Sequence, residues 1–263
     1  MCIRDRGYIV LGSNGEGVMV AEEEKIAVWA AARKSIPSSR LMVAGTGCQS
    51  TRETITLTRR AADAGADAAL VWTPHYFKAK MTADSLVRHY EELADASPIP
   101  ILIYNVPGFT GVTMSPAAVA RAARHPNVVG MKDTTGNIAQ LAETVRLAGP
   151  DFQVLAGSAS YFLPGLSVGA AGGILALANI APDRCLELFR LFQEGRWQEA
   201  AELQRWMLPI NHAVTTGFGI AGLKAAMDMM GHYGGPVRLP LLDIKEEERQ
   251  TLKKVLTQGG ILS

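Results

Sequence analysis

Seven short apolar runs alternate with helix-like segments along most of this 263-residue chain, and this alternation constrains the fold more than any other feature. Most of the runs, such as RLMVAGT, AALVWTP and IPILIYNVP, are almost continuously apolar and have no period of two. Such runs are typical of parallel strands that are covered on both faces, because a solvated face would require alternating polar residues. Strands in alternation with helices therefore predict parallel βαβ units.

The pattern places seven strands and six helices in the first two thirds of the chain, followed only by helices. The strands are predicted in GYIVLGS, RLMVAGT, AALVWTP, IPILIYNVP, VVGMKD, FQVLAGS and GGILALAN. The helices between them are predicted at 21–35, 51–64, 83–96, 116–124, 138–147 and 160–168. Four further helices are predicted at 182–194, 197–213, 218–230 and 246–256.

A closed barrel of this type needs eight strands, one more than the sequence contains. The residues before the first run, MCIRDR, resemble a translated sequencing-adapter scar and are left out of the fold. We therefore expect an α/β fold, a (β/α)8 TIM barrel that lacks its first βα unit. Its expected parts are the scar at 1–6, the barrel at 7–195 and a C-terminal helical extension at 196–263. The alternative is an open seven-stranded sheet that is complete as it stands.

Charge and composition exclude several classes of function. The formal net charge is +1 at pH 7, so no basic surface for nucleic acid or for an anionic membrane is predicted. The segment 162–182 has no charged side chain, but its glycines and prolines favour a short helix and a buried strand over a membrane helix. The five histidines have no paired spacing, so no metal site is predicted.

The cysteines bear on the compartment. Cys2, Cys48 and Cys185 are far apart and match no zinc or disulfide pattern, which favours a reducing compartment. The expected location is the cytoplasm. An organelle stays open, because a targeting peptide would precede the unit that we expect to be missing.

Polar side chains occur where the predicted strands end, which in a barrel is the face that carries the active site. The first strand is followed by a glycine-rich turn, and the fifth strand ends in a lysine within VVGMKDTTG. The candidate site residues are Ser13, Asn14, Tyr76, Tyr104, Lys132, Thr134 and Ile174.

Lys132 is the most informative of these, because a lysine at the end of an apolar strand is costly to bury as a cation. Desolvation in a barrel interior favours the neutral amine, which can attack a ketone and form a Schiff base. The iminium is an electron sink for carbon–carbon cleavage, and Tyr104 on the neighbouring strand is placed to move a proton. The alternative is a structural lysine that reaches solvent or pairs with an acid.

Four motifs, GSNGEG, YNVPG, GMKDTTG and GGILALAN, together resemble the pyruvate-dependent class I aldolases of the dihydrodipicolinate synthase and N-acetylneuraminate lyase family. The resemblance extends from Gly7 to the C-terminus and is greatest to the 4-hydroxy-2-oxoglutarate aldolases. It implies reversible cleavage of that 2-oxo acid to pyruvate and glyoxylate, through a Schiff base and without a cofactor or metal. It also implies a homo-oligomer, a tetramer or a dimer.

The resemblance assigns the catalytic roles. Lys132 would form the Schiff base, and Tyr104 would pass protons between the substrate and its surroundings. Ser13 would be the hydroxyl of the relay. Tyr76 would be its further partner, reaching across a subunit interface.

The resemblance also assigns substrate contacts. The amides and side chains of Ser13 and Asn14 would hold the pyruvate carboxylate, a role that suits a glycine-flanked turn with free N–H groups. Thr134 would recognise the hydroxyl or the far carboxylate. The backbone carbonyl of Ile174 would face the site.

One position departs from the pattern of the synthases in this family. They carry an arginine two residues after the proline of YNVP, where this chain has Phe109. A phenyl ring cannot replace a bidentate guanidinium, so a role in lysine biosynthesis is disfavoured unless a rearranged loop supplies another cation. Two other functions remain open: an aldolase or hydratase-lyase for another 2-oxo acid, and a non-catalytic oxo-acid-binding protein or inactive fragment.

Overall fold

A parallel sheet of seven strands forms the centre of the computed structural model, which describes residues 7–262. The expected scar at 1–6 lies outside the described residues. The strands are β1 (Gly7–Val10), β2 (Leu41–Gly45), β3 (Ala68–Trp72), β4 (Ile101–Asn105), β5 (Val128–Asp133), β6 (Gln153–Ala156) and β7 (Gly172–Gly173). They pair in chain order, all parallel, so β1 and β7 are the edges of the sheet within residues 7–262.

All seven predicted strands are present, but the last is shorter than the sequence indicates. In GGILALAN only the two glycines pair with β6, and Ala176–Asn179 form a 3₁₀ helix. Ile174, which was expected within this strand, lies just after it.

Eleven α-helices occur in the described part of the chain, and ten of them were predicted. They are α1 (Glu22–Ser35), α2 (Thr51–Asp63), α3 (Ala83–Ala96), α4 (Pro107–Thr110), α5 (Pro116–Ala122), α6 (Ile138–Ala148), α7 (Phe162–Ser167), α8 (Pro182–Gln193), α9 (Trp197–His212), α10 (Gly219–Met229) and α11 (Glu246–Gln258). The short α4 was not predicted, and a π-helical turn, Ala213–Gly217, follows α9. None of the helices within residues 7–262 has the length and apolar character that crossing a membrane requires.

Short polar side chains fix where the outer helices begin. Ser50, Thr82, Ser115 and Asn137 each accept a hydrogen bond from the backbone N–H three residues later. Such caps satisfy one of the N–H groups that a helix end leaves free. Each helix therefore begins at a defined distance from the preceding strand end.

The two faces of the sheet bury different clusters. Ile101, Ile103 and Met131 pack outward against helices α3 and α5, which contribute residues such as Leu86 and Val119 to one buried cluster. The opposite, concave face carries a separate small cluster of Val43, Ala68, Leu70, Tyr104 and Val106. Tyr104 thus lies on the concave face, as expected for a residue of a barrel interior.

A register shift in β5 decides which face Lys132 occupies. Ile101 is opposite Val128, but the next residue, Leu102, is opposite Gly130, so Val129 is an extra residue. From there the pairing is regular and Tyr104 is the direct neighbour of Lys132. Because side chains alternate between faces, the extra residue turns Lys132 to the side of Tyr104.

The C-terminal helices pack on the strand ends through buried apolar and amide side chains. Gln204 on α9 donates to the carbonyl of Ala159 at 2.7 Å and accepts from the N–H of Leu163 at 2.8 Å. Trp206 on the same helix donates to the carbonyl of Gly259, just after α11, at 3.1 Å. The extension is therefore fixed to the loop that follows β6.

The close approach of β5 and β6 yields a prediction about Gly130. A Cβ at this position would lie 2.5 Å from the backbone oxygen of Gln153, so Gly130→Ala must push the two strands apart. We expect a loss of about 1–3 kcal/mol in the free energy of unfolding, as for other overpacked sites. Thermal unfolding measures it. The control is Gly108→Ala, where a Cβ meets nothing within 4 Å. Equal melting temperatures for the two variants would contradict the prediction.

Candidate active site

Three of the predicted residues meet on the concave face of the sheet. The Nζ of Lys132 donates a hydrogen bond to the Oη of Tyr104 at 3.3 Å, and the Oγ of Ser13 lies 3.2 Å from the same oxygen. Nζ also lies 4.4 Å from the centre of the Tyr104 ring. The tyrosine hydroxyl therefore connects the amine to the serine in one chain of hydrogen bonds.

Lys132 is buried and has no counter-ion among the residues that the structure describes. Its exposed fraction is 8 %, and that of Tyr104 is 4 %. Within residues 7–262 no carboxylate lies within salt-bridge distance of Nζ. Neither part of the structural alternative, a lysine that reaches solvent or pairs with an acid, describes this side chain.

The adjacent Asp133 shapes the loop after β5. Its carboxylate accepts the backbone N–H of Thr135 at 2.8 Å and the hydroxyl of Thr135 at 3.2 Å. Burial raises the pKa of Asp133, and the two bonds from Thr135 oppose this rise. The side chain thus stabilises a turn, as an aspartate often does after a strand.

The turn after β1 holds Ser13 against Tyr104 in a strained conformation. The 3₁₀ helix Ser13–Gly15 lies between Leu11 and Glu16, two non-glycine residues with left-handed φ of 60° and 54°. Such residues cost about 1–3 kcal/mol each and are common at functional sites. A Cβ at Gly17 or Gly45 would lie 2.2 Å or 2.1 Å from the carbonyl oxygen of Leu11, so both positions need glycine.

This turn is also suited to hold an anion. The first N–H groups of a helical turn have no partner within the turn. Ser13 and Asn14 are both half-buried, and the Ser13 hydroxyl lies 3.2 Å from the Tyr104 hydroxyl on the concave face. A carboxylate there would lie beside the Tyr104 hydroxyl.

Tyr161 belongs to the site although the sequence reasoning did not select it. Its hydroxyl donates to the backbone carbonyl of Asp133 at 2.6 Å, one residue beyond Lys132. Burial, and then the charge of Asp133, raise the pKa of Tyr161. The signal was available, because Tyr161 lies only three residues after the end of the predicted sixth strand, in AGSASYF.

The remaining predicted residues take different places. The hydroxyl of Thr134 donates to the carbonyl of Asn105 at 2.8 Å, so its own proton is already engaged. Ile174 is buried, and its N–H donates to the carbonyl of Ala156 at 2.9 Å.

Tyr76 does not join the three central residues. Its exposed fraction is 77 %, and its ring stands edge-on to Phe77 with ring centres 5.0 Å apart. The side-chain oxygen of Gln49 accepts the N–H groups of His75 and Tyr76, each at 3.0 Å. The backbone of Tyr76 is thus held firmly while its ring faces away from the chain.

Metal-ligating side chains do not gather in the described part of the chain. Residues 7–262 contain no group of three or more His, Cys, Asp or Glu side chains that could hold an ion.

Comparisons with known proteins agree with this geometry. The sequence model described as the dihydrodipicolinate synthetase family matches residues 5–259. The chain belongs to this family. A 4-hydroxy-tetrahydrodipicolinate synthase from Thermodesulfovibrio yellowstonii is 38 % identical over 97 % of this chain and 87 % of that protein. A probable mitochondrial 4-hydroxy-2-oxoglutarate aldolase from Emericella nidulans is 37 % identical over 96 % of this chain and 83 % of that protein.

A solved structure has the same architecture. The dihydrodipicolinate synthase from Acinetobacter baumannii, determined in complex with pyruvate, has a TM-score of 0.93 at 32 % identity, over 99 % of this chain and 89 % of that one. The family resemblance inferred from the four motifs is thus confirmed. The protein is an enzyme, a carbon–carbon lyase and class I pyruvate aldolase with a TIM-barrel-like fold. Enzymes of this family use a Schiff-base lysine and in general no metal cofactor.

Proposed function

We propose that this protein reversibly cleaves 4-hydroxy-2-oxoglutarate to pyruvate and glyoxylate, with Lys132 as the nucleophile. The observation that supports this most strongly is the chain of hydrogen bonds from Lys132 to Tyr104 to Ser13, with distances of 3.3 Å and 3.2 Å. A buried amine beside a tyrosine hydroxyl has both the nucleophile and the proton carrier that Schiff-base cleavage requires.

The reaction follows from these positions. The Lys132 amine adds to the C2 ketone, and Tyr104 gives its proton to the departing hydroxyl, so that water leaves and the iminium forms. The tyrosinate, through Ser13, then takes the proton of the C4 hydroxyl. The C3–C4 bond then breaks, its electron pair forms the enamine, and glyoxylate leaves. Tyr104 returns the proton to C3, and water releases pyruvate and the free lysine. The Ser13–Gly15 turn would hold the pyruvate carboxylate throughout.

We also propose that Tyr76 acts in the site of a neighbouring copy of the chain. Its ring and that of Phe77 are 77 % and 68 % exposed, although both are large apolar groups on one short loop. An exposed pair of this kind fits an interface between subunits better than it fits open solvent. A homo-oligomer, a dimer or a tetramer, is therefore part of the proposal. So is a cytoplasmic location, because Cys48 and Cys185 are free thiols.

The choice of substrate depends on Phe109. A second candidate is the reaction for which the relative from T. yellowstonii is named, and the two relatives are 38 % and 37 % identical to this chain. The Phe109 ring is 70 % exposed, so it lies open to the surroundings without the carboxylate-binding power of an arginine. This favours the aldolase over the synthase. Thr134, two residues after Lys132, is the proposed contact for the substrate hydroxyl, which could donate to the threonine oxygen, or for the far carboxylate, which would replace the Asn105 carbonyl as the acceptor. The carbonyl of Ile174 is proposed to face the same substrate.

Borohydride trapping tests the nucleophile. We expect pyruvate and borohydride to leave a reduced adduct on the peptide that contains Lys132, identified by mass spectrometry. Tyr104→Phe should still trap pyruvate there, but turnover should fall roughly 10²- to 10⁴-fold, as for loss of a general acid–base group. The exposed Lys34 is the internal control for nonspecific labelling. An unmodified Lys132 in folded protein would refute the proposal.

A substitution at Phe109 tests the substrate. Wild type should release pyruvate from 4-hydroxy-2-oxoglutarate and condense pyruvate poorly with aspartate semialdehyde. Phe109→Arg should raise kcat/KM for the condensation at least about tenfold, since one bidentate carboxylate contact is worth that much. Phe109→Leu, which adds no charge, is the matched control. Efficient condensation by the wild type would instead support the synthase.

We further propose that an eighth βα unit completes the barrel between β1 and β7, each of which pairs on one side only within the described residues. The proposed barrel domain then covers 7–195 and the extension 196–263. Fusing the first βα unit of the T. yellowstonii relative before Gly7 should raise the melting temperature by at least about 5 °C, the effect of roughly 2 kcal/mol in a chain of this size. No gain would favour an open sheet that is complete as it stands.

A further inference from the structure

A buried carboxylate follows the Ser13–Gly15 turn directly. Glu16 is 6 % exposed, and it lies three residues after Ser13. One of its oxygens accepts from the Nζ of Lys224 on α10 at 2.7 Å, and the other accepts from the backbone N–H of Arg238 at 2.6 Å. The residues that hold this carboxylate therefore come from the C-terminal extension, more than 200 positions away in the chain.

The segment that supplies Arg238 is itself fixed to α10. We call residues 234–238 the C-terminal strap. Lys224 donates to the carbonyl of Pro236 at 2.5 Å, and one oxygen of Asp228 accepts the N–H of Gly234 at 2.8 Å. A Cβ at Gly234 would lie 1.9 Å from the carbonyl oxygen of Lys224, so the strap touches the helix backbone. The strap and Lys224 thus form one anchored unit.

Two features of the turn require such an anchor. Leu11 and Glu16 hold left-handed conformations that local preference does not stabilise. The Ser13–Gly15 residues are themselves not fully buried. The bonds from Lys224 and Arg238 to Glu16 are tertiary contacts that can hold the strained turn, and with it the Ser13 hydroxyl, at its distance from Tyr104.

The contact of Glu16 with Lys224 and Arg238 is better suited to position the turn than to stabilise the folded protein. Burial of Glu16 opposes its ionisation, but the bonds from Lys224 and Arg238 outweigh this and lower its pKa. A buried ion pair typically adds little net stability over apolar residues of the same size. Its geometry, however, is specific, because two donors from different segments must meet one carboxylate.

We infer that Glu16 is a positioning residue through which Lys224 and the C-terminal strap hold the Ser13–Asn14 turn in its pyruvate-binding geometry. The inference rests on the proposed function, because the proposed function is what makes this turn bind the pyruvate carboxylate and what makes the Ser13 hydroxyl part of the proton relay. On this inference the C-terminal extension contributes to catalysis indirectly, because Lys224 and the C-terminal strap position the turn without touching the reacting atoms.

The test uses pyruvate alone and the exchange of its methyl hydrogens with deuterium oxide, followed by NMR. Exchange needs the Schiff base and the proton relay but no second substrate. Glu16→Gln keeps the size of the side chain and removes its charge, and Lys224→Met removes the partner. Each should raise the half-saturating pyruvate concentration and lower the saturated exchange rate by about tenfold. The double variant should be no worse than either single one, because all three break the same contact.

Two further variants separate position from folding. Lys224→Arg keeps a cation at the contact and should restore exchange to near wild type. Arg196→Ala removes an exposed guanidinium of the extension, which pairs with Glu194 at 3.2 Å, and leaves both donors to Glu16 in place. It should therefore exchange pyruvate like the wild type. Thermal unfolding of every variant shows whether lost exchange reflects lost protein.

The outcomes distinguish this inference from the proposed function. Wild type that traps and exchanges pyruvate, with Glu16→Gln or Lys224→Met exchanging equally well, overturns the positioning role alone, whatever the melting temperatures. If Glu16→Gln does not fold, Lys224→Met against Lys224→Arg decides in the same way. Wild type that neither traps nor exchanges pyruvate overturns both proposals.

Discussion

The pairing of β4 with β5 is the constraint on which the active site depends. Val128 and Met131 both pack outward against the helices although they are three residues apart, which regular alternation does not allow. The extra residue between them resolves this, and it brings Lys132 opposite Tyr104 on the concave face. The apolar residues on the outside of the strand therefore determine where the amine lies. Without the shift, Lys132 would point among the helices, where neither Tyr104 nor Ser13 could reach it.

The sequence was sufficient to predict most of the strands and helices, because the two kinds of element differ in length and in hydrophobic period in this chain. Runs such as AALVWTP, followed by helices with capped starts at Ser50 and Thr82, left little ambiguity. It was insufficient for GGILALAN, where a continuous apolar run has no period and fits a buried strand or a buried helical turn equally. The 3₁₀ helix Ala176–Asn179 is the outcome. The start of α4 at Pro107 did carry a signal, since proline favours the first helical position.

Part of the candidate site was predictable, because the functional residues of a barrel lie where its strands end. Ser13, Tyr104 and Lys132 each follow or end a strand, and the structure brings them within hydrogen-bond reach. The bulge that aims Lys132 was not predictable, because it depends on which partner residues β5 meets. Nor was the contact of Glu16 with Lys224, because the two are 208 residues apart and no local pattern records such a pair. The position of a residue in the chain therefore identifies it as a candidate, but the direction in which its side chain points depends on the packing of the folded protein.

The residues that break local rules gather around one turn and one strand. Leu11 and Glu16 are left-handed without being glycine, and Lys132 is a buried cation-forming group without a counter-ion among residues 7–262. Sequences usually agree with their fold at every level except at functional sites. Phe109 differs from these residues, since its ring is 70 % exposed and breaks no rule of the fold. A change there should therefore cost the structure little. The proposed Schiff-base chemistry thus depends on packing, whereas the proposed choice of the second substrate depends on an exposed side chain.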